Sequence, residues 1–243
     1  MRVALIQPKV FKEREKDVKN AMRLASKANA EIIVFPELYP FFNGSGREMI
    51  NEAARKKALI IYGETIDGKN AATLAYPSGK VKRHFKMKMW DNEKYARGKK
   101  LNVFKYKGAS FGVLICADFY GGDLAERLVK MGAGFIIVVS MDCPAYGEIW
   151  ENGLVYISRK ANAPIIYVNS CSFRKGKRQY GGGRSRVVVP SRGKISRKQV
   201  ISAKGPIFRQ KDLVLVDMGI NEGMRVFDMD PKRYNDPTRG MVR

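Results

Sequence analysis

Histidine occurs once in this chain of 243 residues, at position 84, and cysteine three times, at 116, 143 and 171. Three cysteines, odd in number and without a CxxC pair, do not make a disulfide framework. With a single histidine they do not make a zinc set either, so no metal is expected. No stretch approaches the ~20 apolar residues of a membrane-crossing helix. The opening residues, MRVALIQPKVF, carry a short apolar run broken by Gln7 and Pro8. They read as a first strand and not as a secretory signal, in a cytoplasmic protein without a membrane partner. Acidic residues are scarce as well: 23 against 46 lysines and arginines, a formal charge of +23, with none from Asn152 to Lys211. That excess, densest in FRKGKRQYGGGRSR, reads either as a patch for nucleic acid or another polyanion, or as a solvated, lysine-rich surface.

What is present is ordinary for a globular chain: 45% hydrophobic and 28% charged residues, enough to build one sizeable core. Val3–Gln7 reads as a strand and KEREKDVKNAMRLASKANA as an amphipathic helix. EIIVFPE is then a buried strand ending at Pro36-Glu37, with a second helix between Gly46 and Lys57. LIIYGET follows as a strand, and AATLAYPSGKVKRHFKMKM as a hairpin turning at Pro77-Ser78-Gly79. GVLI leads into Cys116 and a helix from near Asp123; GFIIVVSM, a helix over Gly147–Asn162, PIIYVNSC, RVVVP and DLVLVDMG complete the pattern. Alternating strands and helices argue for an α/β fold with a sheet that is not purely parallel. The expectation is one domain over 1–243, with 229–243 as a C-terminal tail.

Chemistry-bearing side chains stand where strands end or pair: Glu37 in VFPELYP, Lys86 in HFKMKMW and Cys116 in LICAD. Open α/β sheets place their sites at strand C-terminal ends, which suits Glu37 and Cys116. Strand alternation puts Lys82, His84, Lys86 and Lys88 on one face, which reads equally well as a solvent-facing basic strand. A cysteine nucleophile needs its proton removed, and a Cys–His pair using His84 is one way to do that.

Together the segments resemble the nitrilase superfamily of carbon–nitrogen hydrolases, whose Glu–Lys–Cys triad arrives in this chain order. IIVFPELYP resembles the glutamate motif, HFKMKMWDNEKYARG the lysine motif, and GVLICADFYGGDLAERLVKMGAGFIIVVS the cysteine motif with its following helix and strand. SRKANAPIIYVNS and GGRSRVVVPSRGK are similar to later family segments. The resemblance implies Glu37 as general base, Lys86 as the cation, Cys116 as nucleophile, Glu93 as a supporting glutamate, and the Ala117 backbone N–H with Lys86 as oxyanion donors. It further implies a four-layer α-β-β-α sandwich with two mixed sheets, a homodimer through the outer helices or a higher homo-oligomer, a small-molecule substrate, and no cofactor.

The expected activity is hydrolysis of a small amide or N-carbamoyl compound through a cysteine thioester, releasing ammonia or an amine. Nitrile hydrolysis is a further alternative. Another is a polyanion-binding or nucleic-acid-binding protein on the same scaffold, its catalysis weakened or lost. Asp118, two residues after the cysteine, leans towards amides over nitriles. Lys88 stands where the family's lysine motif commonly has histidine, and the loop from Lys86 to Glu93 is short. Asp142, in SMDCP, is a candidate to bind a substrate amine. Tyr39 and Phe41 are candidates for the pocket wall, and so is Cys143, while Cys171 reads as structural.

Overall fold

The structure, a computed structural model, describes residues 1–10, 14–40, 47–90, 93–142, 147–171, 173–175, 178–190, 214–218 and 223–229. The first sheet begins with β1 (Arg2–Gln7), β2 (Ile32–Val34) and β3 (Leu59–Ile66) in parallel. It continues through the antiparallel β4 (Lys69–Ala75) and β5 (Val81–Phe85). In the second sheet β6 (Val103–Tyr106) runs antiparallel to β7 (Ala109–Ile115), and β7, β8 (Phe135–Ser140) and β9 (Ile165–Asn169) are parallel. A ribbon, β10 (Phe173–Lys175) with β11 (Arg178–Tyr180), stands apart. β12 (Arg186–Val188) and β13 (Val214–Asp217) extend the second sheet antiparallel beyond β9, and β14 (Gly223–Asp228) closes the first beside β1.

The apolar runs dictate the layers, because a strand buried on both faces must be covered on both. Val3, Leu5, Val34 and Ile61 meet Phe111, Val113, Ile137 and Val168 between the sheets. Their alternates point outwards. Ala4, Ile6, Ile33 and Ile60 pack against α1 (Arg14–Lys27) and α2 (Arg47–Lys57). Leu114, Ile136, Val138 and Tyr167 pack against α3 (Asp123–Lys130) and α4 (Gly147–Ala161). The result is the expected four-layer α-β-β-α sandwich with two mixed sheets. The hairpin turns where expected, with Gly79 in the left-handed region at φ 81° and Tyr76 N donating to Lys80 O at 2.9 Å.

The solvent-facing reading of β5 is corrected: His84 and the following Lys86 are both fully buried. β5 forms the edge of its sheet, but it also packs on β7 of the other sheet. Its second face therefore looks into the molecule. Residues 172, 176–177 and 191–211 of the basic segment Asn152–Lys211 lie outside the described residues, as do Phe41, Cys143 and the tail beyond Met229.

Candidate active site

Glu37 sits just past β2, on a turn that crosses directly over β3. The crossing is so close that a Cβ on Gly63 would stand 2.1 Å from Leu38 N and 2.7 Å from the Glu37 carbonyl carbon. Only glycine leaves room for it. The carboxylate ends up 2% exposed and held from both sides. Oε1 accepts from Lys86 Nζ and from Asn70 Nδ2, each at 2.8 Å, and Oε2 accepts from Met141 N at 2.9 Å.

Lys86 follows β5 immediately, its own backbone N–H donating to Asn70 O at 2.9 Å. Its ammonium bridges Glu37 at 2.8 Å and Glu93 Oε1 at 2.7 Å, and Glu93 Oε2 is anchored by Trp90 N at 2.9 Å. Burial alone would pull the ammonium pKa down, but Glu37, Cys116 and Glu93 outweigh it and hold it above the ordinary lysine value. Lys86 is therefore a permanent cation. Two of its three N–H donors are used by carboxylates, which leaves one for the side of the thiol.

Cys116 stands on the 3-10 turn Cys116–Phe119 that terminates β7. Its φ is +43°, a left-handed conformation rare for a residue with a Cβ and typical of strained functional turns. Burial pushes its thiol pKa well up and Glu37 adds to the rise, while the Lys86 ammonium and the nearby Ser140 hydroxyl, at the end of β8, pull it back. The thiol is the resting form.

Asp118 holds the two halves of the site together. Oδ1 accepts from both Met87 N and Lys88 N at 2.7 Å, just beyond Lys86. Oδ2 accepts from Ile115 N at 3.1 Å and faces His84 Nε2 at 3.0 Å. One buried carboxylate thus ties the segment of the lysine to the turn of the cysteine. The oxygens of Asp118 are engaged within the protein, so its part at the site is to hold these segments in place. The same contacts place His84, which is fully buried and faces Asp118.

The remaining candidates divide. Ala117 follows the thiol on the same turn, 3% exposed. Asp142 lies close enough to raise both Cys116 and the buried phenol of Tyr167. It lines a narrow cavity of about 10 Å³ with Trp150, Glu151, Tyr167 and Arg186, where Glu151 Oε1 takes Arg184 and Arg186 at 2.8 Å each. Tyr39 is turned away: fully buried in the layer beneath α1, it stacks on Phe35 and donates its hydroxyl to Asp17 O at 2.9 Å. Asn70, Met141 and Ser140 escaped sequence reasoning, because each reaches the site only through its strand's neighbours. Lys88, in the place of the motif's histidine, reaches across to Asp123 and to Tyr120 O. Among the described residues no histidine, cysteine, aspartate and glutamate cluster could hold a metal ion.

A sandwich that brings a buried carboxylate, a permanent ammonium and a cysteine on a strained turn to one place is built as an enzyme. The chain belongs to the carbon-nitrogen hydrolase family, whose model matches residues 2–198. It is similar to an (R)-stereoselective amidase from Pseudomonas sp, 20% identical over 162 residues, which are 58% of this chain and 59% of that one. It is also similar to the glutamine-dependent NAD(+) synthetase of Acinetobacter baylyi, 24% identical over 236 residues, 86% of this chain but 40% of the synthetase. The chain thus spans less than two thirds of the curated relatives it matches. Among solved structures, an amidase of the nitrilase superfamily from Nesterenkonia superposes with a TM-score of 0.79 at 18% identity, over 97% of this chain and 92% of the amidase. A cysteine-to-alanine form of the Nesterenkonia sp. AN1 amidase in complex with butyramide superposes at 0.78, again at 18% identity, over the same shares. No helix among the described residues is long and apolar enough to cross a membrane.

Proposed function

We propose that the chain hydrolyses a small amide or N-carbamoyl compound through a thioester on Cys116, releasing ammonia or an amine. The observation that carries this reading is the Lys86 ammonium, clamped between Glu37 and Glu93 beside Cys116, where it meets the charge that forms as the thiol is deprotonated. As substrate binds, Glu37 Oε2 takes the thiol proton while Sγ attacks the carbonyl carbon. The oxyanion that forms is met by the free N–H of Lys86 and the backbone N–H of Ala117, donors whose removal costs roughly 10²–10³ in rate in comparable sites. When the tetrahedral species collapses, the C–N bond breaks and Glu37 returns its proton to the leaving nitrogen. Water then attacks the thioester, Glu37 accepting its proton, and a second collapse frees the acid and the thiol.

The division of labour follows from the electrostatics. A thiol held protonated by burial is not a standing nucleophile, so proton transfer and attack must be coupled, and Glu37 has to act as base. Lys86 cannot be that base, because its neighbours keep it charged. For Asp142, near enough to Cys116 to raise its thiol pKa, the proposed role is to meet an amine on the substrate.

The test is ammonia release from ω-amides, N-carbamoyl amino compounds and nitriles, with Cys116→Ala in parallel. Turnover of an amide or carbamoyl compound that vanishes in the variant is the expected result, with the acyl group trapped on Cys116 by acid quench and found by mass spectrometry. Turnover that survives Cys116→Ala would remove the thioester. Asp142→Asn should raise KM for amine-bearing substrates alone.

A further inference from the structure

On the outer side of the strand that delivers Lys86 lies a groove of about 700 Å³ that the hydrolase chemistry does not use. Its lining is Lys69, Arg83, Phe85, Ala96, Arg97, Gly98, Lys99, Lys100 and Asn102. Five of these nine residues are cations and none is an acid. The groove is built on structure and is more than a tuft of surface lysines. Ala96 N donates to Gly68 O at 2.9 Å and Gly98 N to Lys86 O at 2.7 Å, which staples the 96–98 segment along the hairpin. The Lys69 ammonium lies 5.2 Å from the centre of the Phe85 ring.

Several cations elsewhere in the described residues have acidic partners. Arg2 pairs with Asp228, Lys107 with Glu31, Lys160 with Glu126, and Arg184 and Arg186 with Glu151. Inside the groove, among the described residues, only Arg83 has one: its Nε meets the buried Glu64 at 3.0 Å, and that carboxylate is shared with Arg47 at 2.6 Å. No carboxylate among the described residues pairs with Arg97, Lys99 or Lys100, all three exposed. Unmatched like charges gathered in one concavity repel one another and focus potential outward. Such an arrangement is relieved by an anion carrying several charges at once.

We propose that this groove binds a small ligand bearing two or more phosphate groups. The volume falls in the ≈ 300–1,000 Å³ range of small-molecule sites, which suits a compact polyphosphate better than a long strand running across an open face. Lys99, Lys100 and Arg97 would take the phosphates, Arg offering paired donors. The ring of Phe85 and the amide of Asn102 would face whatever the phosphates are attached to. The claim is independent of which amide the enzyme cleaves.

The experiment is isothermal titration of the full chain with inorganic tripolyphosphate, adenosine triphosphate and a twelve-nucleotide oligothymidylate at 0.15 M salt. One variant is Lys99→Glu with Lys100→Glu. The control is Arg127→Glu with Lys130→Glu, exposed on α3. Both double variants lower the net charge by the same amount. Expected is saturable one-to-one binding of tripolyphosphate, weakened at least tenfold by the groove variant and less than twofold by the control. Adenosine triphosphate binding more tightly than tripolyphosphate would support an organic polyphosphate on Phe85, and equal binding would support recognition of the phosphates alone. Equal weakening in both variants would reduce the effect to net charge and overturn the proposal. So would oligothymidylate binding tighter than tripolyphosphate, or no saturation by 1 mM.

Discussion

At the scale of single residues, the charges around Cys116 act in opposite directions, which makes the assignment of base and cation testable without knowing the substrate. Glu37 raises the thiol pKa and Lys86 lowers it, within a burial effect that keeps the thiol above its ordinary value. Alkylation by iodoacetamide follows the thiolate, so in the wild type its rate should reach half-maximum above about pH 8.5. In Glu37→Gln a repelling charge is gone and the midpoint should move down, although hydrolysis falls by about 10³-fold with loss of the base. In Lys86→Met an attracting charge is gone and the midpoint should move up. Shifts of the same sign in the two variants would contradict the roles of base and cation, with circular dichroism confirming that both are folded. Glu37 and Cys116 stood out in the sequence because each closes an apolar run, whereas Lys86, on a basic strand, stood out only through the order of motifs it shares with the family. Asn70 and Met141 were not legible, since a hydrogen bond to Glu37 from 33 or 104 residues away leaves no local pattern.

At the scale of elements, the site depends on two joints between segments distant in sequence. Asp118 joins the end of β5 to the turn after β7 by accepting three backbone N–H groups and facing the His84 ring. Asp118→Asn keeps the shape but puts an amide N–H₂ where an oxygen stood, facing a backbone N–H. A buried donor left without an acceptor costs about 1–3 kcal/mol. Urea unfolding should show a loss of that size, accompanied by a fall in kcat as Lys86 loosens. Unchanged stability would mean that the carboxylate is not the joint. The second joint is the crossing of the Glu37 turn over Gly63. Gly63→Ala forces a Cβ against Leu38 N, so backbone must shift, at about 1–3 kcal/mol, and the general base moves with it. Activity should drop by about 10²-fold, as misplacement of catalytic groups by about 1 Å does. Gly132→Ala is the contrast: its φ of +94° is strained for alanine, but nothing lies within 4 Å, so stability should fall and activity stay. Most strands and all four helices among the described residues were legible from period and punctuation, to within a few residues. The burial of β5 was not, because a basic strand with a polar face looks solvent-exposed until a second sheet is laid over it.

At the scale of the whole molecule, composition gave the amount of charge but not its place. The densest basic run by sequence is around 173–186, yet the concave cluster lies at Lys69–Lys100, assembled from a hairpin and a later loop. A net +23 has a consequence that does not depend on any one site. Like charges held in a compact fold repel, and unfolding lets them separate. Salt shortens the range of that repulsion, from about 10 Å at 0.1 M to about 3 Å at 1 M. It also weakens the exposed pairs such as Lys19–Glu15 and Arg2–Asp228, but exposed pairs contribute little at any salt. Repulsion should dominate, so Tm measured by calorimetry should rise with potassium chloride over this range, most steeply at its low end. Chloride is the salt to use, since sulfate would also strengthen apolar burial. The buried cluster of Lys86 with Glu37 and Glu93 is shielded from the same ions, so kcat on an uncharged amide should change little while Tm climbs. A Tm that falls with chloride would mean that attractive pairs outweigh repulsion, and that the excess of cations is already neutralised across the surface.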